Sequence, residues 1–322
     1  MLRRGLVVIV AAYLIATVVL PSAFSVPTPA KSAVLVTGAS SGIGRAAAHA
    51  LVALGFHVFA GVRKSADAKA LLAAGGKSMH PIILDVTKVD TIAAAIAQIE
   101  ATGMPLVGVV NNAGVTFKRP LETVELSRAR QVFDVNYFGV LAVTQAALPL
   151  LRQSAAAGTG ARVVNVGSVQ GVISMPLQGL YAGTKYALES LSDTLRMELK
   201  SAGISVSMVN PGYINTAIRG KGNVERDDIT PYEREHYGAF FDHLAKKAKQ
   251  HSDLAPPCCA MTDHDIVHAL TARKPKTRYY PATAAVKLGK LFPAWLAVII
   301  IKIFHFLPLF DHFSDWVVLN VF

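Results

Sequence analysis

The short apolar run Ala33-Val-Leu-Val36 passes without a break into Thr37-Gly-Ala-Ser-Ser-Gly42-Ile-Gly44, and an alanine-rich stretch with helical spacing, Arg45 to Leu54, follows at once. Strand, glycine-rich turn and helix in immediate succession is the local context a phosphate cradle needs. Glycines let the backbone approach a pyrophosphate, and the start of a helix offers unpaired N–H groups and a favourable dipole. The spacing Gly-x-x-x-Gly-x-Gly differs from the Gly-x-Gly-x-x-Gly fingerprint of many dinucleotide sites, so the turn alone does not identify a ligand.

The alternation continues along the chain. Apolar runs at Phe56–Val62, His80–Leu84, Leu106–Val110, Arg162–Ser168 and Ile204–Val209 read as strands. Helical patterns at Ala66–Ala74, ended by Gly75-Gly76, at Asp90–Ala101, Val132–Leu148 and Tyr181–Lys200 separate them. Such alternation predicts an α/β fold: a single doubly wound parallel sheet of Rossmann type, with ligand at the carboxyl ends of the strands. The chain has 322 residues, enough for two domains, but α/β folds of about 250 residues are commonly one.

The stretch from Ser168 to Lys185 carries the chemistry. Tyr181 and Lys185 are four apart on an amphipathic helix and so share a face. An ammonium beside a phenol favours phenolate, which predicts a Tyr181 pKa below its usual value of about 10. A Tyr–Lys pair at this spacing is ordinarily a surface contact. Three further features change its meaning: the glycine turn, the strand ending in Asn111-Asn-Ala-Gly114, and Asn136 inside an apolar-periodic stretch.

Taken together, Thr37-Gly-x-x-x-Gly42-x-Gly44, Asp85, Asn111-Asn-Ala-Gly114, Asn136, Ser168, Tyr181-x-x-x-Lys185, Pro211-Gly212 and Thr216 resemble the short-chain dehydrogenase/reductase family, in family order from about residue 31 to about 285. The resemblance implies hydride transfer between a nicotinamide dinucleotide and a carbonyl or alcohol. Tyr181 would be the acid/base, Ser168 a hydrogen-bond donor to the same oxygen, and Lys185 a holder of the nicotinamide ribose that also lowers the Tyr181 pKa. Asn136 would orient a water linking Lys185 to solvent. It also implies a dinucleotide held by Thr37, Gly38, Ser40, Ser41, Gly42, Ile43 and Gly44, by Asp85 and Val86, and by Asn112, Ala113 and Gly114. Tyr181, Lys185, Pro211, Gly212, Ile214 and Thr216 would complete that site. Homodimers or homotetramers are common in the family. A cofactor-binding scaffold without turnover is the competing reading, and the complete Asn136, Ser168, Tyr181, Lys185 set speaks against it.

Choice of cofactor turns on the end of the second strand, where an acid would bind the adenosine ribose of NAD and an arginine would accommodate the 2'-phosphate of NADP. Val62 stands where the acid is expected and Arg63-Lys64 follow. NADP is therefore expected over NAD.

Outside the domain lie two apolar segments. Leu6 to Leu20 is uncharged and follows Arg3 and Arg4; residues 1–30 read as a hydrophobic anchor or signal with a Pro27, Pro29, Lys31 linker. Residues 286–322 read as an apolar extension, and the aromatic-rich run Leu291–Phe322, broken by Lys302, Pro308, Asp311 and Asp315, suits an interfacial segment. A net charge of +11 would draw it to anionic lipid. A membrane-held oxidoreductase suggests a lipophilic substrate: a steroid, a retinoid or a long-chain keto lipid. The C-terminal part resembles the hydroxysteroid and retinol dehydrogenase branch, which implies an endoplasmic reticulum membrane.

The other features are weaker. Ala217 to Cys259 would be the substrate lid by resemblance, with Tyr232, Tyr237, Phe240, Phe241 and Leu244 as packing or substrate contacts. Two adjacent cysteines, Cys258 and Cys259, form no disulfide framework. His264 and His268 share a helical face but lack a third ligand, so no metal is expected, and an ordinary helix capped by Thr262 with Asp265 three residues on is. Nothing points to nucleic acid.

Overall fold

The computed structural model describes residues 24–212, 214, 228–254 and 259–281. Seven strands run in the order β3-β2-β1-β4-β5-β6-β7, and every neighbouring pair is parallel. They are β1 (Ala33–Val36), β2 (His57–Val62), β3 (Met79–Ile83), β4 (Leu106–Asn111), β5 (Arg162–Val166), β6 (Ser205–Val209) and β7 (Arg278–Tyr279). Between them come helices α1 (Gly42–Ala53), α2 (Ser65–Gly75), α3 (Val89–Glu100), α4 (Leu126–Phe133), α5 (Gly139–Ala156), α6 (Gly179–Leu199), α7 (Pro231–Leu254) and α8 (Ala260–Thr271). This is the doubly wound sheet expected from the alternation. The strand order reverses between β1 and β4, which opens a crevice at their carboxyl ends.

Period-two side-chain alternation divides the core between the two faces of the sheet. Ala33 and Leu35 point to one face, with Ile92, Ala95 and Ile99 of α3, Val143, Ala147 and Leu151 of α5, and Leu195 and Leu199 of α6. Val34 and Val36 point to the other, with Ala47, Ala48 and Leu51 of α1, Leu71 of α2, and Ile266, Ala269 and Leu270 of α8. A strand covered on both faces must be apolar at every position, which is why β1 is buried throughout. Cutting one such side chain back, as in Leu51→Ala, costs about 2 to 5 kcal/mol through lost transfer energy and the cavity left behind.

Two local expectations are revised, the start of the helix bearing His264 and the state of Cys259. The helix bearing His264 begins at Ala260, not after Thr262; Cys259 occupies the cap position with φ 84°, and the Thr262 side chain is fully buried. His264 is exposed and faces Asp265 at 3.5 Å, whereas His268 Nδ1 lies 2.8 Å from the Tyr279 hydroxyl, so the two do not act as a pair. Among the described residues no group of three His, Cys, Asp or Glu could hold a metal ion. Cys259 is buried and disulfide-bonded, which the sequence reading did not anticipate; Cys258 lies outside the described residues.

The segment around Pro27 and Pro29 is not a free linker. Phe24 N donates to Arg273 O at 3.0 Å, the fully buried Arg162 donates to Ser25 O at 2.7 Å, and Pro29–Lys31 forms a 3-10 turn. A buried guanidinium needs acceptors, and here the carbonyls of Ala161, Ser25 and Ala272 supply them to Nη1 and Nη2, while Nε has none among the described residues. Leu6–Leu20 and Leu291–Phe322 lie outside the described residues, and among those described no helix is long and apolar enough to cross a membrane.

Candidate active site

Thr37 closes β1, and its hydroxyl organises two loops. Its Oγ1 faces Val110 O at 3.4 Å and accepts from the backbone N–H groups of Asn112 and Ala113, each at 3.0 Å. The Asn112 amide donates to Thr37 O at 3.0 Å and Gly38 O at 3.1 Å. Asn112, expected as a cofactor contact, also braces the turns after β1 and β4. Gly38 takes φ 65°, where a side chain is strained, and a Cβ on Gly44 would fall 2.3 Å from Asn112 Nδ2 and 2.5 Å from Gly38 O. The α1 N-terminus behind this turn has no side-chain cap from Ser41 and no acid in its first turn. Its N–H groups therefore have the chemistry of an anion cradle.

An open cleft of about 880 Å³, solvent space included, runs from this turn over β2 and β3. Of the expected cofactor residues, Gly38, Ser40, Ser41, Gly42, Ile43, Arg63, Asp85, Val86, Asn112, Ala113 and Gly114 line it. Thr37 and Gly44 are not among the residues that line it. Val62 is buried at the end of β2, where no carboxylate stands, and Arg63 is exposed beside it. Burial alone would push the Asp85 carboxyl up, but hydrogen bonds from Thr87 N and Oγ1 at 3.0 and 2.7 Å, with the charges of Arg63 and Lys88, hold it below its usual value. Glycine turn, uncapped helix and this wall suit the pyrophosphate and adenosine of a dinucleotide.

Asn136, Ser168, Tyr181 and Lys185 converge from three elements. Ser168 follows β5; its Oγ accepts from Gln170 N at 3.1 Å and hydrogen-bonds Tyr181. Lys185, one turn beyond Tyr181 on α6, donates to Val166 O at 2.9 Å, and its Nζ lies 5.6 Å from the Tyr181 ring centroid. Between α4 and α5 the helix widens to a π-turn over Asp134–Phe138, a distortion that often marks functional positions. The Asn136 amide there accepts from Val115 N at 2.9 Å and donates to Val115 O at 2.9 Å and Thr184 Oγ1 at 3.0 Å. It ties the β4 loop to α6.

The predicted lowering of the Tyr181 pKa is not what this geometry produces. Burial pushes the phenol up to about 12, only partly opposed by the Ser168 hydrogen bond. Burial also pulls Lys185 down to about 8. The ammonium is committed to a backbone carbonyl and stands 5.6 Å from the ring centroid, and desolvation outweighs attraction.

Pro211 O accepts from Val169 N at 3.1 Å, and Gly212 N donates to Pro281 O at 2.9 Å, so the turn after β6 abuts both the Ser168 loop and the end of β7. Ile214 is buried; Thr216 lies outside the described residues. In the lid segment Phe241 is buried, while Phe240 is exposed and Leu244 half-buried. Tyr232 and Tyr237 direct their hydroxyls to Glu122, the first at 2.7 Å. Sequence reasoning missed these contacts, together with an ion pair between Arg119 and Glu233 at 3.0 Å. Each joins residues more than a hundred positions apart, and no local pattern announces them.

Comparison with known proteins identifies the family. A family model described as short chain dehydrogenase matches residues 32–227. An NADPH-dependent 3-dehydrocapnine reductase from Ornithobacterium rhinotracheale is 35% identical over 250 residues, covering 77% of this chain and 87% of its own. Estradiol 17-beta-dehydrogenase 2 from Mus musculus is 35% identical over 294 residues, covering 84% and 74%. The crystal structure of a short-chain dehydrogenase from Streptomyces avermitilis superposes with a TM-score of 0.67 at 30% identity, covering 85% of this chain and 97% of that one.

Proposed function

The chain belongs to the short-chain dehydrogenase family and is an oxidoreductase of that type; from this premise we propose that it is a membrane-associated enzyme that moves a hydride between NADP(H) and a lipophilic alcohol or ketone, with Tyr181 as acid/base. The observation that carries the reading is that Ser168 follows β5 while Lys185, one turn beyond Tyr181 on α6, donates to Val166 O at the end of that strand and stands 5.6 Å from the Tyr181 ring centroid. The dinucleotide, when bound, supplies or accepts the hydride. Arg63, the glycine turn and Asp85 would hold its adenosine and phosphates, while Lys185, Pro211, Gly212, Ile214 and Thr216 would hold the nicotinamide half.

In the direction of reduction, the substrate carbonyl oxygen takes hydrogen bonds from the Tyr181 and Ser168 hydroxyls, which are aimed where negative charge develops. As the carbonyl carbon becomes tetrahedral, the Tyr181 proton passes to that oxygen and the alcohol forms. A phenol at about 12 is protonated at neutral pH and ready to donate. Lys185 then offsets the charge left on Tyr181, and a water oriented by Asn136 relays a proton back toward Lys185. Oxidation runs the same steps in reverse.

Val62 and Arg63 at the end of β2 support NADP over NAD, as does the NADPH-dependence of the 3-dehydrocapnine reductase. The estradiol dehydrogenase supports a steroid-like substrate. Catalytic chemistry would occupy residues 31–285, with 1–30 and 286–322 holding the protein at a lipid surface through Leu6–Leu20 and the aromatic-rich tail. Assay of steroid, retinoid and long-chain ketones and alcohols with NADPH, NADH and their oxidised forms, followed at the reduced nicotinamide band, tests the activity. Turnover confined to small hydrophilic carbonyls, or preferring NADH, would contradict the reading. Carbonate extraction of chains lacking 1–30 or 286–322 tests the membrane attachment, and release of the intact chain would defeat it.

A further inference from the structure

We infer that Glu233 is a positioning residue for the substrate half of the cleft: with Arg119, its carboxylate seats the first turn of α7 on the segment between β4 and α4, and this seat governs substrate affinity. The inference rests on the dehydrogenase reading of the cleft given above.

The Glu233 side chain is 3% exposed. Its Oε2 pairs with Arg119 Nη1 at 3.0 Å and accepts from Thr230 N at 3.0 Å and Thr230 Oγ1 at 3.2 Å; its Oε1 accepts from Thr123 Oγ1 at 2.6 Å. Arg119 also donates from Nη2 to Asp228 O at 2.9 Å. Arg119 and Thr123 from one segment and Thr230 from the other therefore close on a single buried carboxylate. Removing one partner of such a set leaves a desolvated charge or an unpaired donor, so the seat holds as a unit. Glu122, which takes the Tyr232 and Tyr237 hydroxyls nearby, is exposed and contributes less for that reason.

What the seat touches assigns it to substrate and not to cofactor. Arg119 N donates to Leu177 O at 2.8 Å, and Leu177 lies in the loop joining Ser168 to Tyr181, at φ 62°. Gly179 opens α6, and a Cβ there would fall 2.9 Å from Leu121 Cδ1, so the Arg119–Thr123 segment lies flush against the start of the Tyr181 helix. None of Arg119, Thr123, Thr230 or Glu233 lines the dinucleotide cleft. The seat thus joins α7 to the loop between Ser168 and Tyr181 while leaving the glycine turn untouched.

The test uses the full chain, NADPH and a 17-keto steroid. Glu233→Gln is expected to raise KM about tenfold with kcat within about twofold of wild type, NADPH affinity unchanged, and trypsin cutting in α7 faster. Glu233→Asp should recover part of the KM change. The Arg119→Met, Glu233→Gln double variant should be no worse than Glu233→Gln, because the two act as one unit. An unchanged KM, a fall in kcat matching the rise in KM, or multiplicative single effects would overturn the inference. If Glu233→Gln does not fold, Thr123→Val removes one donor and must raise KM in the same selective way. Should wild type not turn over the steroid, the proposed function is what fails. The seat is then judged by trypsin alone, and unchanged cutting in Glu233→Gln overturns it.

Discussion

The dinucleotide cleft and the seat of α7 are built from different materials. At the dinucleotide end the surface is backbone, shaped by the glycine turn and braced by Thr37 and Asn112 reaching between adjacent strand ends. The seat proposed to serve the substrate is instead a contact between remote segments, α7 against residues 119–123, held by side chains meeting at Glu233 and Glu122. A backbone cradle on a buried sheet changes little without unfolding the sheet. A side-chain seat can be rewritten one residue at a time, which suits the part of an enzyme that must differ with substrate.

The largest effect that can separate the two comes from Tyr181. Tyr181→Phe should lower kcat about 10²- to 10⁴-fold, the range for a lost general acid/base, while NADPH affinity measured by fluorescence titration stays close to wild type. Next, Gly44→Val should weaken NADPH binding about a hundredfold, because its side chain would occupy space held by Asn112 and Gly38 O; normal affinity would show that the turn is not a close-packed cradle. Arg63→Asp should cost NADPH about tenfold to a hundredfold and NADH much less. Equal losses would mean that Arg63 does not read the 2'-phosphate. Smallest of all, Glu122→Gln should change KM by no more than about twofold, since exposed charges contribute little. A loss equal to that of Glu233→Gln would erase the distinction between the buried and exposed carboxylates.

The same division decides what could be read from the sequence. The α/β architecture, the glycine turn and the Tyr181–Lys185 pair all follow from residues close together in the chain, where period, spacing and turn chemistry act directly. Arg119 with Glu233, Thr123 with Glu233 and Tyr232 with Glu122 are set by how α7 lands on the domain, and neighbouring residues carry no trace of it. Arg162 is a similar case: in sequence it opens an apolar strand, and only the docked Phe24–Ser25 segment explains its burial. The Tyr181 pKa was misjudged for a related reason. Helical spacing gave the proximity of Lys185 but neither the desolvation of the phenol nor the Val166 carbonyl that holds the ammonium.

These shifts carry signs that stability measurements can check. Lys185, at about 8 when folded against 10.5 ordinarily, binds fewer protons folded than unfolded between those values. Its contribution to stability is present above about 10.5 and lost as pH falls to about 8. Tyr181, raised from 10.0 to about 12, contributes stability below pH 10 that is lost as pH rises through about 12. Denaturant unfolding of wild type and Lys185→Met across this range should diverge in favour of wild type between about pH 8 and 10.5.

The protonation state of one phenol tests the account most directly. Tyrosinate absorbance of the dinucleotide-free protein, wild type minus Tyr181→Phe, should stay flat to pH 10 and rise toward a midpoint of about 12. A Tyr181 component already ionised at about pH 7 to 8 would contradict a neutral, proton-donating Tyr181.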